Sequence, residues 1–479
     1  MGAINGKQFI ERLNKLNSEI WYDGKMIEGK LSEHATFKGL IQSKATLYDL
    51  QGSQELKNKM TFLSPITGDS IGLSYLQPKT KEDLKSRRRM IEIWARSTCG
   101  MMGRSPDYMN TVIMSLASSA ALLDGRENCF PEHILSLYEL ARENDLSFTH
   151  TFITPQVNRS QLFFELSKEP ISAKIIDRNE QGLIIKGARL LATQGGITDE
   201  VLVYSAPGML HSDDAFAFSI PSDTKGVKFI CRESFVGGDS TFNHPLSSRF
   251  EEMDSMIVFD HVLVPWNRVF FYDNLEAARD FILQSSFHQQ AIHQVLTRQI
   301  VKTEFILGVA ELLVETINIS EYHHIQEKLS EMIIGLETMK ALLEKAEHDA
   351  EVDEWGYMRP SYLPLQVAST IFPKIYPRFC EIIQLISASG IVTLPTENDF
   401  ASEIRGDLDQ YLQAASMNAE ERVKIFRLAW DLTMSSFGTR QTQYERYFFG
   451  DPIRLSSNLY KNYSKDKYVA LVSKFINLN

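Results

Sequence analysis

The order in which hydrophobic periodicity changes along the chain constrains its fold more than any other feature. From about residue 7 to 147 apolar residues recur at helical spacing, as in LKSRRRMIEIWARSTCGMM and NTVIMSLASSAALL, with loops marked by SPITGDS and RENCFPEH. From about 149 to 272 the pattern switches to short β-rich runs, among them GLIIKGARLLAT, DEVLVYS, AFAFSIP, GVKFICRES and DSMIVFDHVLVPW, divided by Gly, Asp, Asn and Pro. From about 276 onward long amphipathic segments return, four of them, which is the pattern of a bundle. Strands do not alternate with helices, so no parallel βαβ sheet is expected. The reading is α+β: an N-terminal helical domain at 1–148, a central antiparallel, barrel-like β-domain at 149–275, and a C-terminal four-helix bundle at 276–479.

A chain of 479 residues with 43% hydrophobic and 23% charged residues has room for two or three packed units. Its 50 basic and 61 acidic residues leave a formal net charge of −11, which argues against a nucleic-acid partner. Cys99, Cys129, Cys231 and Cys380 stand too far apart for any CxxC spacing, so reduced, packed thiols and no metal site are expected. The opening stretch MGAINGKQFIERLNKL has no apolar core of signal-peptide length, and no segment supplies the roughly 18 uncharged apolar residues of a membrane span. The expectation is a cytoplasmic protein that does not enter membranes. Met1-Gly2 suggests myristoylation, but Gly6 stands where that motif needs Ser or Thr. No GxGxxG follows a strand, and neither a Walker motif nor HExxH occurs, so the chain shows no nicotinamide site of its own.

Chemistry concentrates at GRSPDYMN, residues 103–110. Ser105-Pro106 reads as a helix start, with Ser as the cap and Pro at the first helical position, and Asp107 suits the positive end of the dipole. Arg104 just before the cap and Tyr108 one turn in can converge there. A guanidinium, a phenol hydroxyl and a helix N-terminus together favour an oxyanion, although a surface arginine and a half-buried tyrosine at an ordinary helix start would look the same. A second polar stretch, FTHTFITPQVNRSQ at 148–161, opens the β-domain with His150, several hydroxyls and Asn158-Arg159, more donors than a simple linker requires.

These two stretches, with LLATQGG (190–196), FDHVLVPWNRVF (259–270), SASGIVTLPTENDF (387–400) and YERYFFGDPIR (444–454), resemble the oxygenase component of 4-hydroxyphenylacetate 3-monooxygenase and its relatives over nearly the whole chain. The resemblance implies an acyl-CoA-dehydrogenase-like fold, a homotetramer, and use of FAD as FADH2 delivered by a separate NAD(P)H:flavin reductase. It implies ortho-hydroxylation of a phenol such as 4-hydroxyphenylacetate to a catechol with O2, through a flavin C4a-hydroperoxide. By the same resemblance Arg104, Tyr108 and His150 contact the phenolic hydroxyl, and Ser205 and Ala206 meet the other end of the substrate. Relatives that take hydroxyphenylacetate offer two adjacent hydroxyl residues there, so Ala206 is a departure that bears on the substrate. His150, Thr151, Phe152, Gln156, Val157, Asn158, Arg159 and Thr193 are implied to touch FAD, with Phe448, Phe449, Gly450 and Asp451 closing over its far end. Loop 205–216 is a candidate lid.

Two CoA-ester enzymes share that superfamily fold and stand as alternatives. A 4-hydroxybutyryl-CoA dehydratase needs three cysteines and a histidine for an iron–sulfur cluster, yet Gly103 follows Cys99 by four residues and the segment with His288 and His293 has no cysteine nearby. An acyl-CoA dehydrogenase needs a base such as Glu381 or Glu397, neither of which has a distinguishing context. A flavin-binding scaffold without turnover is a third class, against which the Arg104, Tyr108 and His150 set argues.

Overall fold

The computed structural model describes residues 2–155, 170–206 and 211–478. Helices Lys38–Gly52, Lys81–Ser97, Pro106–Ser118 and Pro131–Asn144 dominate its first third. Every residue of Pro106–Ser118 is buried. Its sequence, PDYMNTVIMSLAS, carries one charge and no polar stripe, and a helix without a wet face belongs in the core.

Two sheets occupy the centre. The larger runs in the order Lys25–Met26, Glu19–Tyr22, Val227–Cys231, Asp254–Pro265, Gly182–Thr193 and Lys174–Arg178; the smaller runs Val269–Tyr272, Phe216–Pro221, Glu200–Tyr204 and Phe148–Thr151. The expectation of an antiparallel centre holds for most pairings and fails at two. Glu19–Tyr22 lies parallel to Val227–Cys231, and Phe148–Thr151 parallel to Glu200–Tyr204. In both, the strands are joined by long stretches of chain, which parallel pairing requires and a tight hairpin forbids. The larger sheet thus borrows two strands from the helical first third. In the smaller sheet all five residues of Glu200–Tyr204 are buried, as expected of a strand covered on both faces. His150 sits in register with Leu202, which brings it beside the end of that strand and Tyr204.

The remainder is almost wholly helical. Phe287–Thr316, His323–His348, Tyr362–Ser387 and Ala419–Thr433 form the bundle, and Ser436–Tyr447 packs along it. Phe287–Thr316 lies against both Lys81–Ser97 and Pro106–Ser118, so the bundle backs directly onto the helix that follows Arg104. The periodic segment expected from 276 onward breaks at Ser285 and Ser286 into two helices, Leu275–Leu283 and Phe287–Thr316. The last helices, Pro452–Asn462 and Asp466–Phe475, bury no residue, and Ile453, Leu471 and Phe475 stand largely exposed. Among the described residues no helix is long and apolar enough to cross a membrane, and no His, Cys, Asp and Glu cluster could hold a metal.

Candidate active site

The turn that carries Arg104 is held from outside. The Glu252 carboxylate accepts the backbone N–H of Gly103 at 2.8 Å and of Arg104 at 2.7 Å. Gln194 Nε2 donates both to that carboxylate and to the Arg104 carbonyl, each at 2.9 Å. Ser105, expected as the helix cap, makes no side-chain cap bond, although Pro106 does take the first helical position. Glu252 therefore satisfies the amides just before the helix. Asp107 is buried and accepts from Gln294 Nε2 at 2.8 Å; burial pushes its carboxyl up, with hydrogen bonds from Ser105 and Gln294 opposing.

The Arg104 guanidinium is stacked among aromatic rings, 4.2 Å from the Tyr108 centroid, 4.3 Å from Phe448 and 5.5 Å from Tyr444. Such packing favours a cation over the ring faces and leaves in-plane N–H donors idle: Nε and Nη1 are buried without a partner among the described residues. Burial by itself would lower its pKa, but Tyr444, Tyr108 and Glu252 outweigh that, and the group stays charged. Tyr108 meets His150 edge to face at 5.8 Å. His150 is 4% exposed, and its Nδ1 lies 3.1 Å from the Tyr204 hydroxyl, while Phe152 stacks on Tyr204 at 5.1 Å. Burial, assisted by the Arg104 charge, holds the imidazole well below its ordinary value of 6.5 and therefore neutral. Burial raises the phenols of Tyr108 and Tyr204, with Arg104 opposing in both, so both remain donors.

Arg104, Tyr108, His150, Phe152 and Phe448 thus share one corner. Thr151 lies in the same strand as His150, and its hydroxyl donates to the Leu190 carbonyl at 2.8 Å. The Thr193 hydroxyl donates to Asp254 at 2.8 Å; although buried, that carboxyl is held at about 2 by Arg440 and Arg232. The Ser205 hydroxyl donates to the Asp214 carbonyl and accepts from the Phe216 N–H, which ties the two ends of loop 205–216 together. Ala206 follows it with no polar side chain. Phe449 packs on Phe448 at 4.8 Å, Gly450 has φ +95°, and Asp451 caps the next helix through Ile453 and Arg454. Gln156, Val157, Asn158 and Arg159 lie outside the described residues.

Four members of the corner escape a reading of the sequence. Gln194 and Tyr444 stand inside stretches that drew attention, LLATQGG and YERYFFGDPIR, but nothing singles out either one there, while Tyr204 and Glu252 lie 54 and 148 positions from the His150 and Arg104 they meet. With Arg104 and His150 the corner combines a charged donor, a neutral imidazole and the five aromatic side chains of Tyr108, Phe152, Tyr204, Tyr444 and Phe448. A flat aromatic group that carries hydrogen-bond acceptors fits this lining, a description that covers both a phenol and a flavin ring.

The comparisons with known proteins agree with that chemistry. Residues 5–271 match the family model described as 4-hydroxyphenylacetate 3-hydroxylase N terminal, and residues 278–477 match its C-terminal counterpart. A probable 4-hydroxyphenylacetate 3-monooxygenase of Bacillus subtilis (strain 168) is 71% identical over 99% of both chains. The oxygenase component of 4-hydroxyphenylacetate 3-monooxygenase of Geobacillus sp. (strain PA-9) is 44% identical over 99% of this chain and 97% of its own. A crystal structure of such an oxygenase component, with FAD and 4-hydroxyphenylacetate, superposes with a TM-score of 0.94 at 41% identity, over 99% of this chain and 98% of that one. With both halves matched by one family and a relative 71% identical over nearly the whole chain, this chain belongs to the 4-hydroxyphenylacetate 3-hydroxylase family.

Proposed function

We propose that this chain is the oxygenase component of a two-component flavin monooxygenase that hydroxylates a phenol ortho to its hydroxyl, with 4-hydroxyphenylacetate as substrate and a catechol as product. The observation that carries the reading is the pair of buried Arg104 nitrogens, Nε and Nη1, with no partner among the described residues, set in an aromatic corner beside a neutral His150. A buried donor without an acceptor is unfavourable by about 1–3 kcal/mol, and a phenolic oxygen supplies the acceptor.

Bound FADH2, held by Thr193 and the segment around His150 with Phe448 and its neighbours, would supply the activation of O2. Everything else falls to the side chains of this chain. A phenol ring is attacked ortho to its oxygen more readily as it gains phenolate character, yet a free phenol ionises only near ~10. Arg104 stabilises the charge that grows on that oxygen, and Tyr108 donates to it. His150 takes up the phenolic proton: with Tyr204 accepting its Nδ1–H, the free lone pair is on Nε2, which serves as the base. Its depressed pKa means that this proton settles there only when phenolate charge stands beside it. The aromatic walls keep water from the reacting atoms.

The rest of the proposal concerns partners. The chain works as a homotetramer in the cytoplasm and depends on a separate NAD(P)H:flavin reductase. Purified chain with reductase, NADH, FAD and 4-hydroxyphenylacetate should yield the catechol, and omission of the reductase should abolish it. Catechol formation from NADH by this chain alone, or none from any simple phenol when pre-reduced FAD is supplied, would overturn the reading. Because Ala206 cannot donate to a carboxylate and Ser205 is engaged with the backbone of its own loop, phenols with an uncharged para substituent should compete well in the same assay.

A further inference from the structure

We propose that Tyr444 is a further catalytic residue, whose hydroxyl joins Arg104 and Tyr108 as an additional donor to the phenolic oxygen; this rests on the reading of the corner as a phenol site. Among the described residues the Tyr444 oxygen is buried without a hydrogen-bond partner, as are Nε and Nη1 of Arg104, whose guanidinium lies 5.5 Å from the Tyr444 ring. Buried polar atoms are nearly always paired in folded proteins, so idle donors on two neighbouring side chains point to one missing acceptor.

The surroundings place this ring with care. Gly103 has no side chain, and a Cβ there would stand 2.5 Å from the Tyr444 hydroxyl oxygen and 2.6 Å from Cζ. The phenol therefore lies directly against the turn that carries Arg104, in space that any other residue at 103 would fill. Its ring lies beside two guanidinia, with Arg440 at 4.3 Å and Arg104 at 5.5 Å. Arg440 is itself fixed by Asp254 at 2.7 and 3.0 Å. The next residue, Glu445, is locked to Arg298 at 2.6 Å and Lys302 at 2.8 Å, so the helix cannot easily rotate Tyr444 away. Burial, the largest influence on this phenol, keeps it protonated against Arg104, so it donates rather than competes for charge.

Binding of 4-nitrophenol to the purified chain, followed by its phenolate absorbance across pH, tests this without turnover, in parallel with Tyr444→Phe and Arg104→Ala. Tyr444→Phe should bind the phenolate about ten- to hundredfold more weakly, the effect of one hydrogen bond to a charged group. Because the variant removes a buried hydroxyl that has no partner among the described residues, its melting temperature should equal or exceed the parent's. Parent-like phenolate affinity in Tyr444→Phe, with binding lost in Arg104→Ala, would overturn the role of Tyr444 and leave the phenol site standing. A lower melting temperature with unchanged binding would assign the hydroxyl to packing and also overturn it. No phenolate binding by the parent would remove the site and this inference together.

Discussion

In the proposed reaction Arg104 and His150 divide their labour from the flavin in a way that substitutions expose. Oxygen can be consumed wherever FADH2 is held in a dry pocket, but the ring reacts only when the phenolic oxygen is held and its charge offset. Arg104→Ala should therefore lower ring hydroxylation by roughly a hundredfold to a thousandfold, the usual effect of deleting one donor aimed at a developing oxyanion, while hydrogen peroxide accumulates in place of catechol. His150→Ala should act in the same direction, and a simultaneous assay of catechol and peroxide checks both. The pH dependence follows from burial. Since His150 titrates well below its ordinary 6.5, product yield from pre-reduced FAD should show no inflection near 6.5, and a loss centred there would contradict the buried, neutral imidazole. The sign for stability is the complementary one: the unfolded chain takes up a proton at this histidine below 6.5 and the folded chain does not, so stability falls as pH drops through that range. These residues were legible because each lies in a local motif, 103–110 or 148–151. Glu252 and Tyr204 were not, because a carboxylate that caps a turn 148 positions earlier and a tyrosine that orients a histidine 54 positions back meet their partners only through the tertiary fold.

The helix Ser436–Tyr447 shows how an element holds the corner in place through residues other than Tyr444. Glu445 is buried and paired with Arg298 and Lys302, themselves buried. Arg298 also donates to the Gly100 carbonyl at 2.9 Å, and Gln441 to the Met101 carbonyl at 3.1 Å, so the helix grips the segment that leads into Arg104. Gly100 has φ +67° and packs against the backbone of Lys302, where a Cβ would come within 2.6 Å of the Lys302 Cβ. Glu445→Gln leaves two buried cations short of their anion and should destabilise the fold by about 3–5 kcal/mol in urea unfolding. Burial would raise the Glu445 pKa, but Arg298 and Lys302 overcome it and hold the carboxyl well below the usual 4.5. Its contribution is therefore complete above 4.5 and is lost as pH falls through the folded-state value. Parent protein should weaken on acidification below 4.5 more than Glu445→Gln does. Periodicity located the long helices, but it could not reveal the two parallel strand pairings or the break at Ser285-Ser286. Pairing direction depends on where distant chain returns, and a two-residue interruption hardly disturbs an apolar pattern.

At the scale of the whole molecule, the last two helices carry apolar side chains and bury none of them, which a folded monomer tolerates poorly. Deletion of residues 452–479 should reduce the proposed tetramer to smaller species in light scattering, and an unchanged mass would place the assembly contacts elsewhere. The three-part order of helix, strand and helix was readable from periodicity, because each part keeps a dominant period over more than a hundred residues, although Glu19–Tyr22 and Lys25–Met26 of the first part join the central sheet. The central claim is that the Arg104 corner holds a phenol while FADH2 activates oxygen. It is tested most directly by mixing the parent and Arg104→Ala, each with pre-reduced FAD and 4-hydroxyphenylacetate, with oxygenated buffer in a single turnover. The account predicts catechol nearly equal to oxygen consumed for the parent, and oxygen consumption with peroxide in place of catechol for the variant. Equal catechol yields from the two proteins, at equal rates, would contradict it.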